Sequence, residues 1–503
     1  MKKNKVILVY PDSGEKYNHD VPLSLVWIAA PLYEAGYEVV IYDQRLDGDY
    51  RAFLKPHVAD AICMGVTSFS GFQLKGGMAI SSWMKEKYPD VPVVWGGWHV
   101  SILTEQSMRE PFIDYIVHGQ GEIPFLALVR HLQAGTDPRG IENLAYRDEQ
   151  GKVVVNERRK LIDINTLPKK PYHLLDVKRY TGRRLTENDV YLVWMSSVGC
   201  PFNCAFCADP LVYKRRWLGL DPIRMADEIE ELVERFGITQ FGFWDDNFFI
   251  DFKRVEIFVD ELIRRKINVK WNGTIRISGI VRIPMELLKK CHAAGLHMVH
   301  PGVEGATQPM LDFMNKKEKA SNTLIAARKL ADVGIKSLYS FIVGLPDEPE
   351  SNVQDTFDMV EQLKRINPDN IIPVNFYTPY PGNHLYDYSI KKGFVPPANM
   401  KEWSDFSTRL GITPWLTAEY RNKVWMRDKY YYPAAYPSST MQEKMRHGAV
   451  GYVYRLLHRL AKKRVAAKDF DNPWDWRLLY RYWRFWAATR KYLKFLPNIN
   501  FRW

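Results

Sequence analysis

Tyr191-Leu192-Val193-Trp194-Met195-Ser196-Ser197-Val198-Gly199-Cys200-Pro201-Phe202-Asn203-Cys204-Ala205-Phe206-Cys207 is an apolar run that breaks at a glycine and then delivers three cysteines. Their spacing is Cys-x3-Cys-x2-Cys, in a chain of 503 residues that holds only 5 cysteines. Three clustered thiolates can hold three irons of a 4Fe–4S cluster, whose usual complement is four cysteines. The fourth iron is then open to a ligand with amine and carboxylate donors, such as S-adenosylmethionine (SAM). A structural zinc site is the competing reading, with Cys291 or His292 as fourth ligand. Zinc ligands usually come as two short clusters, and Cys291 stands alone in a helical stretch. A disulfide is the third reading. Cys63 reads as a buried strand residue and Cys291 as a helix-core residue, the common fate of free cysteine.

Outward from the cysteines, strand and helix patterns alternate. Strands are expected at Tyr191–Ser197, Gln240–Trp244, Val269–Ile277, His297–Val303, Ser337–Gly344 and Ile371–Tyr377. Helices are expected at Pro222–Phe236, Lys253–Lys266, Pro284–Ala294, Ser321–Val333 and Asn352–Ile366. Six such units fit an incomplete parallel barrel, whose chemistry sits at the carboxyl ends of its strands. The cysteines follow the first of those strands.

Residues 5–133 alternate in the same way, with strands at Lys5–Pro11, Glu38–Asp43, Ala61–Phe69, Val91–Gly97 and Ile113–Gly119. Helical patterns cover Pro22–Glu34, Gln73–Lys87, Ser101–Arg109 and Pro124–Gln133. This predicts a doubly wound parallel sheet that binds its ligand beyond the strand ends. The fold class expected is α/β: a Rossmann-like domain over 1–134, a connector over 135–188, a partial (β/α)6 barrel over 189–395 and a helical region over 396–503. The connector carries a hairpin turn at Asp148-Glu149-Gln150-Gly151.

The net charge is +12, and +10 of it falls between Gly451 and Trp503. Basicity is therefore a property of the tail. Two helices are expected there. Tyr452–Ala467 sets Leu456, Leu457 and Leu460 against Arg455, Arg459 and Lys463. Residues 474–496 set Leu479, Tyr482, Trp483, Trp486 and Leu493 against Arg477, Arg481, Arg484 and Lys491. Such faces suit an anionic membrane surface; packing on the barrel is the alternative, and no RNA-binding signature favours nucleic acid. The start Met1-Lys2-Lys3-Asn4-Lys5 does not read as a signal peptide, so free thiols and a cytoplasmic location are expected.

The cysteine motif and the order of domains resemble the cobalamin-binding radical SAM superfamily, over roughly residues 1–410. That group includes the anaerobic magnesium-protoporphyrin monomethyl ester cyclase and many carbon methyltransferases. The resemblance implies that Cys200, Cys204 and Cys207 ligate a 4Fe–4S cluster and that Phe206 lies against the adenine of SAM. Asp245, Asp246 and Asn247 end the second barrel strand, where SAM would lie; a helix cap is their plainer role. Glu304, in Gly302-Val303-Glu304-Gly305, is matched to the ribose hydroxyls, although the family's usual serine is Gly305 here. Gly344 and Pro346 end the fifth strand as a close approach and a rigid turn.

For cobalamin the expected contacts are Thr67, Ser68, Ser70, Gly96, Gly97, His99, Gly119, Gly121 and Glu122. Asp-x-His-x-x-Gly is absent, since the first strand is followed by Pro11-Asp12-Ser13-Gly14-Glu15. No histidine lower ligand is therefore expected from that motif, and His19 and His99 are the unsupported alternatives. The activity implied is generation of a 5′-deoxyadenosyl radical to functionalise an unactivated carbon, methylation before cyclisation or rearrangement without methyl transfer. A non-catalytic iron–sulfur or corrinoid-binding protein is the reading from another class. The partners implied are a small, hydrophobic substrate and an electron donor such as flavodoxin or ferredoxin.

Overall fold

Alternation within single strands decides how the first sheet packs. On Lys5–Tyr10 (β1), Val6 and Leu8 face one hydrophobic core while Ile7 and Val9 face another. A strand with apolar residues on both faces must be covered on both sides, as parallel sheets are. The computed structural model, which describes residues 3–14, 19–182, 189–406 and 411–489, shows this cover. Glu38–Asp43 (β2), Ala61–Ser68 (β3), Val93–Gly97 (β4) and Tyr115–Val117 (β5) join β1 in the order β2-β1-β3-β4-β5, all parallel. That order reverses between β1 and β3, which makes their carboxyl ends the binding crevice of such a sheet.

The expected hairpin is present, and it belongs to this sheet. Leu144–Arg147 (β6) and Val153–Val155 (β7) add to β5 antiparallel, around the turn at Asp148–Gly151. The expected helix Ser101–Arg109 is instead two short ones, Trp98–Ile102 and Thr104–Ser107, because Leu103 leaves helical geometry at φ −113° and ψ 47°. A helix at Tyr50–Val58 was hidden by Pro56.

The chain divides into two compact units. The first comprises Met1–Thr274, Ala293–Leu296 and Pro379–Thr408; the second comprises Ile275–His292, His297–Thr378 and Arg409–Trp503. Residues around 400 thus belong with the first sheet. Met400 and Trp403 are fully buried in its core, and Trp403 Nε1 donates to Gln106 Oε1 at 2.9 Å.

In the first unit, Tyr191–Trp194 (β8) pairs in parallel with Gln240–Phe243 (β11), and β11 with Lys270–Arg276 (β12). Between them, Ser197–Val198 (β9) and Leu218–Gly219 (β10) form a short antiparallel pair that brackets the cysteine segment. In the second unit, Leu296–Glu304 (β13) pairs in parallel with Lys336–Ser337 (β14) and Ser340–Val343 (β15), and β15 with Val374–Phe376 (β16). The five expected helices between these strands fall within a residue or two of expectation, and Asp209–Tyr213, Ile277–Arg282 and Gln308–Phe313 are additional. Pro222–Phe236 starts on Asp221, whose carboxylate accepts from Ile223 N and Arg224 N, and stops at left-handed Gly237. Both signals are written in the sequence.

The C-terminal helices are Gly448–Ala467 and Trp474–Thr489. Their packed faces differ from expectation. Tyr454, Ala461 and Val465 are buried on the first, and Asp475 on the second. The side chains of Trp483 and Trp486, and residues Lys491 and Leu493, lie outside the described residues. Among the described residues no helix is long and apolar enough to cross a membrane.

Candidate active site

The cysteine segment is pinned at both ends by buried polar groups. Strand β8 ends at Trp194, and the next two serines turn onto Asp245, just past β11. Ser196 N and Ser196 Oγ donate to Asp245 Oδ1 at 3.2 and 2.7 Å, and Ser197 Oγ donates to the same oxygen. Arg254 crosses from the helix Phe252–Arg265 and donates to Ser196 O (2.9 Å), Ser196 Oγ (2.6 Å) and Leu220 O (2.8 Å). It thereby ties residues on either side of the segment together. Gly199 has φ +76°, and a Cβ there would lie 2.3 Å from Arg216 O, so only glycine fits.

Within the loop the three cysteines are half-buried. Cys207 N donates to Cys204 O at 3.1 Å, and Asp209 N donates to Cys207 Sγ at 3.4 Å. Burial pushes the Cys200 thiol up to about 11 and the Cys207 thiol to about 12. Loading a soft metal must therefore displace protons, as thiolate sites do. Asp209 is buried against Asp246; burial first, and then the Asp246 charge, push it up to about 8. Among the described residues no three His, Cys, Asp or Glu side chains form a group that could hold a metal ion. A 4Fe–4S cubane differs from zinc in binding each thiolate at a separate iron, so a loop presenting three thiols fits it.

The strand ends of the first sheet form a second tightly built region of the same unit. Ser68 Oγ donates to Gly96 O (2.7 Å), and Thr67 Oγ1 meets Ser24 Oγ at 3.2 Å. Gly97 has φ +92°, and a Cβ there would sit 2.6 Å from Ser68 O and 2.7 Å from Ser68 N. Ser101 Oγ donates to Gly97 O (2.6 Å) and accepts from Gly119 N (2.9 Å), which links the ends of β4 and β5. Gly119 is left-handed at φ +76°, and a Cβ on Gly121 would press on Ile28 at 3.1 Å. Glu122 is buried with Oε2 unpartnered, and burial raises its carboxyl. Small residues along the carboxyl ends of β3, β4 and β5, with an orphaned buried oxygen on Glu122, suit a bulky polar ligand. Gly97→Ala is expected to cost about 2 kcal/mol or more, read as a lower urea midpoint together with weaker retention of cobalamin.

His99 is buried at the strand ends, with its Nε2 unpartnered. Its ring is fully buried, Nδ1 lies 2.9 Å from Ser70 Oγ, and the ring meets Trp403 edge-on at 6.0 Å. Burial lowers it to about 4. His118 is lowered to about 4 as well, by burial and then by the Arg158 charge. In the unfolded chain both would titrate near 6.5. Below that pH the unfolded state binds more protons, so stability present above pH 6.5 is lost as pH falls toward 4. Each is expected to cost about 2 kcal/mol at pH 5. Unfolding midpoints at pH 7.5 and 5 check this, and His99→Asn or His118→Asn should reduce the difference.

Two functional-looking residues carry no motif. Arg158, in the connector, donates from Nε to His118 Nδ1 (3.1 Å) and from its terminal nitrogens to Ser101 O and Leu211 O. It therefore holds the strand ends of the first sheet to the helix Asp209–Tyr213 that follows the last cysteine. Trp98 and Tyr213 support the same junction edge-on at 6.0 Å. Lys170 is fully buried with its ammonium 4.4 Å from each of the Trp27 and Trp194 rings, and it pairs with Glu228 at 2.6 Å. Nothing in the spacing of either residue announced these contacts.

Several expected SAM contacts also serve the fold. Asp245 is wholly engaged by Ser196 and Ser197, whereas Asp246 next to it is solvent-accessible. Asn247 is buried with Oδ1 unpartnered, and Phe206 is half-buried in the cysteine segment. In the second unit Glu304, at φ +67°, pairs with Lys316 (3.3 Å) and accepts from Ser340 Oγ (3.2 Å). The close approach at Gly344 is filled by the chain itself: a Cβ would meet Leu416 at 2.7 Å, and Trp415 Nε1 donates to Gly344 O at 3.0 Å. Pro346 is buried beside it.

Comparison with known proteins finds the same two domains. The family model for the radical SAM superfamily matches residues 194–360, and the one for the B12-binding domain matches residues 16–129. The chain is 29% identical over 418 residues to an uncharacterized methyltransferase of Pyrococcus horikoshii, spanning 80% of this chain and 87% of the relative. It is also 29% identical over 398 residues to the anaerobic magnesium-protoporphyrin IX monomethyl ester cyclase of Rubrivivax gelatinosus, spanning 76% and 69%. A solved structure of the cobalamin-dependent SAM radical enzyme OxsB, with aqua-cobalamin and SAM bound, aligns with TM-score 0.71 at 16% identity, covering 96% of this chain and 75% of that one. That likeness shows the fold, a Rossmann-like domain followed by a partial barrel. The chain belongs to the cobalamin-binding radical SAM superfamily, enzymes whose cofactors are a 4Fe–4S cluster, SAM and cobalamin.

Proposed function

We propose that this protein methylates an unactivated carbon of a small molecule, with Cys200, Cys204 and Cys207 as the ligands of its cluster. The observation that carries the reading is the double pinning of the cysteine segment, by Asp245 and Arg254 at its ends and by Arg158 to the Gly97 and Gly119 strand ends. When bound, the cluster and SAM supply a 5′-deoxyadenosyl radical and cobalamin supplies a methyl carrier. The chain's own share is placement. Asp246, Asn247 and Phe206 are assigned to SAM, with Glu304 for its ribose hydroxyls; Gly344 and Pro346 shape the turn after β15. Thr67, Ser68, Ser70, Gly96, Gly97, Gly119, Gly121 and Glu122 are assigned to cobalamin. Asp245 and His99 are assigned to bracing, so the corrinoid is held without a histidine from this set. We divide the chain functionally at 134, 188 and 395.

A low-potential electron donor of the flavodoxin or ferredoxin kind completes the reading, as does peripheral membrane contact through the C-terminal region. The test is anaerobic incubation with cobalamin, a reductant and SAM carrying a deuterated methyl group, using candidate hydrophobic small molecules. Methylation predicts 5′-deoxyadenosine, S-adenosylhomocysteine and a labelled product together. The likeness to the cyclase favours a second reading, for which 5′-deoxyadenosine forms but no label enters the product. Absence of 5′-deoxyadenosine under all conditions rejects both.

A further inference from the structure

We propose that the exposed side of the helices Gly448–Ala467 and Trp474–Thr489 is a docking surface for anionic phospholipid, on which the protein rests without inserting a span. The second helix is fixed by its first turn. Asp475 is buried, accepts from Tyr431 Oη (2.8 Å) and pairs with Arg464 Nε of the preceding helix at 3.2 Å. Trp476 stacks on Tyr430 at 5.8 Å and meets Trp425 edge-on at 6.2 Å. With Asp475 and Trp476 held inward, the helical period turns Trp474, Leu478, Arg481 and Phe485 outward together. The three apolar members of that stripe are 52%, 66% and 55% exposed. Arg477 and Arg484 flank it.

The first helix repeats the arrangement. Tyr454, Ala461 and Val465 are buried, which leaves Tyr452 and Leu456 exposed in its first half and Arg459, Lys462 and Lys463 in its second. Among the described residues none of Arg459, Lys462, Lys463, Arg477, Arg481 and Arg484 takes part in an ion pair with a carboxylate. Large exposed apolar side chains beside arginines with no carboxylate partner are matched at a headgroup layer. There the apolar groups reach the acyl boundary and the cations meet phosphate. Interior packing, the competing role, is already taken by the opposite faces. The sign and clustering of the charge select an anionic surface over a neutral one.

The test is flotation of the full-length protein with vesicles of phosphatidylcholine alone or mixed with phosphatidylglycerol at three to one. Binding is expected to the mixed vesicles, to fall ten-fold or more on the pure zwitterionic ones, and to weaken steeply with salt. The triple variant Trp474→Ala, Leu478→Ala, Phe485→Ala and the triple variant Arg477→Glu, Arg481→Glu, Arg484→Glu should each lose ten-fold or more. Both should keep the wild-type thermal midpoint, since these side chains lie outside the packed face. Failure of the wild-type protein to float with either vesicle overturns the proposal, as does equal flotation of the variants. Capture of RNA or self-association through this face, with no vesicle binding, overturns it too. None of these outcomes depends on cofactors, so a negative result leaves the radical chemistry to its own test.

Discussion

Cys204→Ala, prepared without oxygen, is expected to purify with background iron and to form 5′-deoxyadenosine about a thousand-fold more slowly or not at all, because two thiolates do not hold a 4Fe–4S cluster. The fold should survive, since Cys204 is only half-buried and the segment is held by Asp245, Arg254 and Arg158 rather than by sulfur. Cys63→Ala is the matched control. Cys63 lies fully buried in the first sheet, and burial pushes its thiol up to about 12, which makes it an inert core residue. Iron content should be unchanged there. Iron assay and chromatography of the nucleoside products check both variants.

Asp245→Ala is expected to remove about 3 kcal/mol of stability, because it leaves buried donors unmatched and takes a carboxylate charge away from a buried guanidinium. Ser196 N, Ser196 Oγ and Ser197 Oγ lose their acceptor together, and Arg254 loses the carboxylate whose charge favours its ionised form. A residue that only touched SAM would leave the cofactor-free protein as stable as before. The thermal midpoint of cofactor-free protein separates the two roles, and a fall of several degrees is the expected result. Asp245→Asn keeps one acceptor and should fall between.

That contrast shows where the sequence was legible. Glu38–Asp43, Gln73–Lys87 and Pro222–Phe236 were read to the residue, because their periodicity and caps are local. The cysteine motif and its place after a strand are local too. The division of labour between Asp245 and Asp246 is not. These neighbours differ in burial because Ser196 and Ser197 from one stretch and Arg254 from another converge on one of them. Gly344 poses the same problem: its strand end looks open in the sequence, yet Leu416 covers it from 72 residues on. In the last helix Asp475 is held inside by Arg464 and Tyr431, partners that no local spacing records. Trp403 returns to the first sheet through contacts that no spacing records.

The most direct test of the central claim is the electron paramagnetic resonance spectrum of anaerobically reconstituted, reduced protein, recorded before and after addition of SAM. A chain whose three cysteines leave one iron open predicts about four irons per chain and a 4Fe–4S signal that changes when SAM binds. Protein that carries zinc in place of iron, or a cluster whose signal is indifferent to SAM, would contradict it.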